Sequence, residues 1–120
     1  MSHIELGRHG EDLAAQWYLK QGYTIIDRNW RVRSGEIDII ASRDSVVAFV
    51  EVKARTSRRY GRGFDAIDYR KQQKVRSLAV QWLKQVRERE TPPISRSATL
   101  RFDAVEVDGS GSVEVLEGCF

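Results

Sequence analysis

The chain predicts a mixed α/β fold, a central mixed sheet flanked by helices, with elements in the order α, β, β, β, α, β, β. Three observations carry this. Two segments place apolar residues at intervals of three and four, several short runs are β-branched or alternate with polar residues, and Gly or Pro marks the breaks between them. At 120 residues the chain is expected to form one domain over residues 1–120. A fold of that length buries about two-thirds of its unfolded surface, which suffices for a core without disulfides.

The first helix is expected from Leu6 to Gln21, with Leu6, Gly10, Leu13, Ala14, Trp17 and Tyr18 on one face and Gly22 stopping it. A strand over Tyr23 to Val32 follows, rich in β-branched and aromatic residues, and Ser34-Gly35 reads as the next turn. Glu36 to Ala41 and Val46 to Ala54 are two further strands. A Gly- and Arg-rich loop, Ser57 to Gly63, leads to a long helix from about Tyr69 to Glu90. Its apolar stripe is Val75, Leu78, Ala79, Trp82 and Val86, and Pro92-Pro93 ends it. Thr91 to Thr99 connects to an alternating strand, Leu100 to Val107. Asp108-Gly109-Ser110-Gly111 turns into a last short strand, Val113 to Leu116. Trp17, Trp30 and Trp82 fall on apolar stripes and are assigned to core packing.

Composition excludes several classes. A single cysteine, Cys119, rules out a disulfide framework and a cysteine-based zinc site, and fits a reducing compartment. The N-terminus has no basic stretch followed by an apolar run, and no apolar run approaches the roughly 18 residues of a membrane span. The expectation is a soluble cytoplasmic protein without membrane partners. The net charge of +3 is unevenly spread, since Lys53 to Arg76 holds nine Lys or Arg against two Asp. A solvated helix face gives the same count, but a basic patch beside an acidic site is suited to a phosphate polyanion.

That acidic site is the informative feature. Asp38 stands in Gly35-Glu36-Ile37-Asp38-Ile39-Ile40, and Glu51 and Lys53 in Phe49-Val50-Glu51-Val52-Lys53, each within an apolar strand. An ionised side chain there must be paired, hold a metal or shift its pKa. Period two puts Glu51 and Lys53 on one face with Phe49 and Val47. If Arg43-Asp44 is a two-residue hairpin turn, Ser42 pairs with Ser45, Asp38 falls opposite Phe49, and Glu51 is its diagonal neighbour on the same face. A three-residue loop would send Asp38 to the other face. Oxygen ligands without His or Cys select Mg²⁺ or Mn²⁺, an ion that can polarise a phosphodiester and activate water. Lys53 is then placed to orient that water or to neutralise charge on the phosphate. Glu11 reads from the residues alone equally well as an acid favoured by the helix dipole. Glu36 reads as a rim residue or an arginine partner, and His3 and His9 as surface residues.

Asp38 followed thirteen residues later by Glu51-Val52-Lys53 resembles the metal and lysine signature of the PD-(D/E)xK nuclease superfamily, whose restriction-endonuclease-like core is αβββαβ. The resemblance extends further. Leu6-Gly7-Arg8-His9-Gly10-Glu11-Asp12-Leu13-Ala14-Ala15, Arg28-Asn29-Trp30-Arg31, Gly35-Glu36-Ile37-Asp38, Phe49 to Arg55, Arg70-Lys71-Gln72 and the closing Phe120 together resemble the bacterial YraN family of predicted endonucleases, related to archaeal Holliday-junction resolvases. It covers nearly the whole chain. It implies that Asp38, Glu51 and the backbone carbonyl of Val52 are metal ligands, that Lys53 is the catalytic lysine, and that Glu11 and Gln72 line the site. The hairpin turn and one strand position depart from the pattern. Arg43-Asp44-Ser45 stands where relatives often carry Gly, and Ile37 replaces the superfamily's eponymous Pro.

The expected function is a Mg²⁺- or Mn²⁺-dependent endonuclease acting on DNA in preference to RNA, with branched junctions among its substrates. Arg55, Arg58, Arg59, Arg62, Arg70, Lys71 and Lys74 are the expected nucleic-acid contacts, with Tyr60 and Phe64 as candidates for base stacking. Resolvases act as symmetric dimers, so the resemblance also allows a homodimer. The alternative is a nucleic-acid-binding or scaffold protein whose catalytic site is weak or partner-dependent.

Overall fold

Residues 3–55 and 69–119 are described by the computed structural model, except the side chains of residues 3–7 and Arg55. Arg58, Tyr60, Phe64 and the rest of the basic loop, with Phe120, lie outside them. The observed elements are α1 (His3–Lys20), β1 (Thr24–Val32), β2 (Gly35–Arg43), β3 (Val46–Arg55), α2 (Tyr69–Arg87), β4 (Thr99–Asp108) and β5 (Val113–Leu116). The element order is the expected one, and so is the mixed α/β class. One sheet holds all five strands in the order β1-β2-β3-β4-β5. Only β3 and β4 run parallel, and α2 lies in the connection between them. A parallel pair requires such a crossover.

The helices cover opposite faces of the sheet. On one face Ala14, Ala15 and Tyr18 of α1 pack on Ile39, Ala48, Val50, Val105 and Val107. On the other, Val75, Leu78, Ala79, Trp82, Leu83 and Val86 of α2 pack on Ile40, Val47, Phe49 and Phe102. Alternate residues of β3 thus enter different cores, which is why the strand reads as almost continuously apolar. Each large side chain fully buried here contributes about 1.5–3 kcal/mol. Trp82 is wholly buried, and its indole N–H donates to Asp27 Oδ2 at 2.6 Å, which satisfies the ring's polar atom. Trp17 and Trp30 pack at the edges of the two cores.

Boundaries differ from expectation at both helices and at both hairpin turns. α1 begins at His3 and α2 ends at Arg87, short of Glu90. Gly22, with φ of 88°, does end α1 in the left-handed conformation. The first hairpin turn sits at Arg33-Ser34, so Gly35 belongs to β2 and pairs with Val32. The second turn is Asp44-Ser45, because Arg43 pairs with Val46. Asp44 carries the left-handed φ of 54°, a conformation Asp tolerates far better than Arg would.

One buried acid is fully compensated. Asp103 of β4 has no exposed surface. Its carboxylate accepts from Tyr18 Oη at 2.7 Å, from Arg101 Nε and Nη2 at 2.9 Å each, and from the Gly118 N–H at 2.9 Å. Four donors fill the lone-pair sites of a carboxylate. The network joins α1 and the C-terminal segment to the sheet, and Arg101 also donates to Tyr23 Oη at 2.7 Å. Burial and the Asp103 charge hold the Tyr18 hydroxyl firmly protonated.

Candidate metal and nucleic-acid site

Strand register brings the acidic residues together. The β2–β3 ladder runs from Arg43↔Val46 to Ile39↔Val50, and one further step puts Asp38 level with Glu51. The expected register, with Asp38 opposite Phe49, is therefore corrected by two positions. An even shift preserves the face, so Asp38 and Glu51 still share one side, as direct rather than diagonal neighbours. Backbone pairing stops just before that point, and the Val52 N–H instead donates to Asp38 Oδ2 at 2.7 Å. The Asp38 side chain thus bridges a fork between the two strands. Val52 contributes this amide to the site.

Asp38 is 9% exposed, and its surroundings oppose its charge. Burial first, then the charges of Glu51, Glu11 and Glu36, push its pKa up to about 7 against the pull of the Val52 N–H. Glu11, on α1, adds to this repulsion by its charge but is not among the residues that line the groove described below. The contrast with Asp103 is physical. One buried carboxylate has a guanidinium and further donors, whereas among the described residues the other has one amide donor and acidic neighbours. An arrangement that raises the cost of a buried charge is typical of functional positions.

Asp38 and Glu51 line a groove of about 610 Å³ between the β1–β2 turn and α2. Across it, Lys71 Nζ lies 2.7 Å from Glu51 Oε1. Lys71, predicted to contact phosphate, thus reaches the carboxylate itself. Lys74 also lines the groove, and so do Arg31 and Arg33, which the sequence reasoning did not single out. Arg31 Nε is held by Glu36 Oε2 at 2.7 Å, which settles Glu36 as an arginine partner at the rim. The result is an acidic floor beneath a cationic rim.

The other predicted residues are spread more widely. Lys53 is half-buried one step beyond Glu51 on the same face of β3. Gln72 is half-buried beside Lys71 on α2 but does not line the groove. Arg70 is exposed at the start of α2, and His9 is exposed on α1. Arg55 ends β3, while Arg58, Arg59 and Arg62 lie outside the described residues. A further acid, Glu106, escaped sequence reasoning. It is 5% exposed and is the β4 register partner of Lys53. Its only sequence signal was a charge on the inward phase of an alternating strand.

Among the described residues no three carboxylate, imidazole or thiol groups gather as a ready-made metal cage. Two carboxylates on a site open to solvent suit Mg²⁺ or Mn²⁺, which keep water and phosphate as their other ligands. The poorly compensated charge of Asp38 is consistent with that fit.

These features define a mixed α/β domain with paired strand carboxylates at the floor of a cation-rimmed groove. Residues 10–107 match the family model described as "Uncharacterised protein family UPF0102". A UPF0102 protein of Rhodococcus opacus (strain B4) is 49% identical over 86 residues, 71% of this chain and 73% of the relative. One from Parafrankia sp. (strain EAN1pec) is 44% identical over 119 residues, covering 96% and 95% of the two chains. Another, from Thermodesulfovibrio yellowstonii, is 36% identical over 120 residues, covering 100% and 99%. The chain belongs to the UPF0102 family, in keeping with the bacterial family its motifs resemble. No helix among the described residues is long and apolar enough to cross a membrane.

Proposed function

We propose that this protein is a Mg²⁺- or Mn²⁺-dependent nuclease of the PD-(D/E)xK type that hydrolyses phosphodiester bonds in the cytoplasm. Its substrate is DNA in preference to RNA, branched structures included. The observation that carries the reading is Asp38. It is a buried carboxylate that accepts from the Val52 N–H among the described residues, carries the repulsion of Glu51, Glu11 and Glu36, and lies at the floor of a groove with a basic rim. Asp38 and Glu51 would hold the ion, with Glu11 acting on it directly or through water. When bound, the ion supplies Lewis-acid polarisation of the phosphate and lowers the pKa of water. Val52 fixes the orientation of the Asp38 carboxylate through its N–H. Lys53, with its ammonium on the same strand face as Glu51, positions the attacking water and offsets charge that develops on the phosphate.

The ion pair between Lys71 and Glu51 favours a second reading as well. In that reading the protein binds nucleic acid, and a partner must separate the pair before the site becomes competent. One experiment tests both. End-labelled single-stranded, duplex, flap and four-way-junction DNA are incubated with the protein in Mn²⁺, Mg²⁺ or EDTA, beside an Asp38→Ala control. Metal-dependent products absent from the control support the nuclease. Salt-sensitive binding without products supports the partner-dependent reading, and loss of both rejects each of them.

A further inference from the structure

The groove has a wall that the carboxylates do not explain. The β1–β2 turn carries Arg33 along one side, and α2 carries Lys74 along the other. Both are exposed. Among the described residues neither has a carboxylate partner, whereas Arg31 and Lys71 are each paired with a glutamate at 2.7 Å. Gly35 makes the approach of these walls possible. Its φ is 154°, and a Cβ there would stand 3.0 Å from Lys74 Cε and 3.2 Å from Leu78 Cδ1. A side chain there would crowd the end of the lysine and the leucine and would sit in a backbone conformation that L residues rarely adopt, so glycine suits the close approach of β2 to the helix. The groove walls are aliphatic, from Val32, Val75 and Leu78, and none of the described residues lining it is aromatic.

Base recognition by single strands uses aromatic platforms, and the described residues of this groove offer none. It offers a guanidinium, whose fork suits phosphate oxygens, and an ammonium point charge, above an acidic floor. We infer that the groove between the β1–β2 turn and α2 is a sequence-independent clamp for the sugar–phosphate backbone of a nucleic-acid strand. Arg33 and Lys74 take phosphates adjoining the one presented to Asp38 and Glu51. This inference rests on the nuclease reading above, and it assigns the clamp to residues outside the basic loop.

Binding measured without catalysis tests it. Fluorescence anisotropy of the full chain in EDTA is recorded with labelled dT-only, dA-only and mixed-sequence oligonucleotides across a salt series. The wild type is expected to bind all three within about threefold. Arg33→Ala with Lys74→Ala should weaken each at least about tenfold and flatten the dependence of log K on log salt by about 1–2, one for each phosphate no longer neutralised. Gly35→Ala should weaken binding with no change in charge. Lys20→Ala with Lys84→Ala, which removes the same charge elsewhere on the helices, should leave affinity within about twofold. Thermal unfolding of each variant checks the fold, which two exposed side chains should not disturb. Unchanged binding by the Arg33 and Lys74 variant overturns the clamp and leaves the nuclease reading standing. A preference above about tenfold for one sequence overturns its backbone character. Absence of any binding by the wild type, in EDTA and again with Ca²⁺ in its place, overturns the clamp, while the nuclease reading is decided separately by metal-dependent cleavage.

Discussion

The Lys71 ammonium lies 2.7 Å from Glu51 Oε1, so α2 supplies a positive charge to one of the two strand carboxylates. Asp38, level with Glu51 on the neighbouring strand, receives an amide hydrogen bond instead. A divalent cation binding between these acids therefore competes with a lysine for Glu51. Both members of the ion pair are partly exposed, which limits its contribution to stability to about 1 kcal/mol or less.

Lys71→Met should change unfolding free energy by under about 1 kcal/mol. It should tighten Mn²⁺ binding by roughly fivefold, because one nearby positive charge no longer opposes the ion. Titration calorimetry of the two proteins reads the difference. Equal or weaker Mn²⁺ binding by the variant would show that Lys71 is no competitor.

Asp38→Asn is expected to stabilise the metal-free protein at neutral pH while abolishing metal-dependent activity. Burial and acidic neighbours raise the folded pKa of Asp38 to about 7 from an ordinary 3.8. The folded state therefore holds a proton that the unfolded state has released, and wild-type stability falls as pH rises from about 4 to about 7. The amide removes this cost and can still accept from the Val52 N–H. Urea unfolding in EDTA should show a gap of roughly 2–4 kcal/mol at pH 8 that closes near pH 4. A gap independent of pH would contradict the assignment.

Asp103→Ala should destabilise the protein by about 3–5 kcal/mol, because Arg101 and Tyr18 lose the carboxylate that satisfies them. The groove carboxylates lie outside this network, so Mn²⁺ affinity of the folded fraction should stay near wild type. A loss under about 1 kcal/mol would mean that water replaces the carboxylate without difficulty.

Trp82→Phe keeps the ring in the α2 core but removes the indole N–H that donates to Asp27. A cost of about 1–3 kcal/mol in chemical denaturation is expected, from the stranded carboxylate and the smaller ring. An equally stable variant would show that Asp27 finds another donor.

Much of the site was legible because its logic is periodic. A charge on an apolar strand identified Asp38 and Glu51, and period two was enough to put them on one face. The register was misjudged by two because the hairpin turn was centred on Arg43-Asp44, whereas Asp44, with its left-handed φ of 54°, opens the turn and Arg43 stays in the ladder. The buried stripe of α2 followed from its spacing in the same way. Asp103 is a charge on an apolar strand too, but its compensation gave no cue, since its hydroxyl partner, Tyr18, is 85 residues away in sequence. Arg33 was missed for a related reason. Its place in the groove depends on Gly35 meeting Leu78 and Lys74, a meeting of separate elements that no local pattern encodes.

The fork at which β2 and β3 part gives Val52 an unusual status. Its amide is secured by a titratable side chain, where the neighbouring strand would ordinarily offer a carbonyl. The proton resonance of this one N–H should consequently move downfield as Asp38 ionises, and shift again when a cation draws the carboxylate away. A single backbone signal in a nitrogen-edited NMR spectrum would then report the state of the site, with no substrate and no label attached to it.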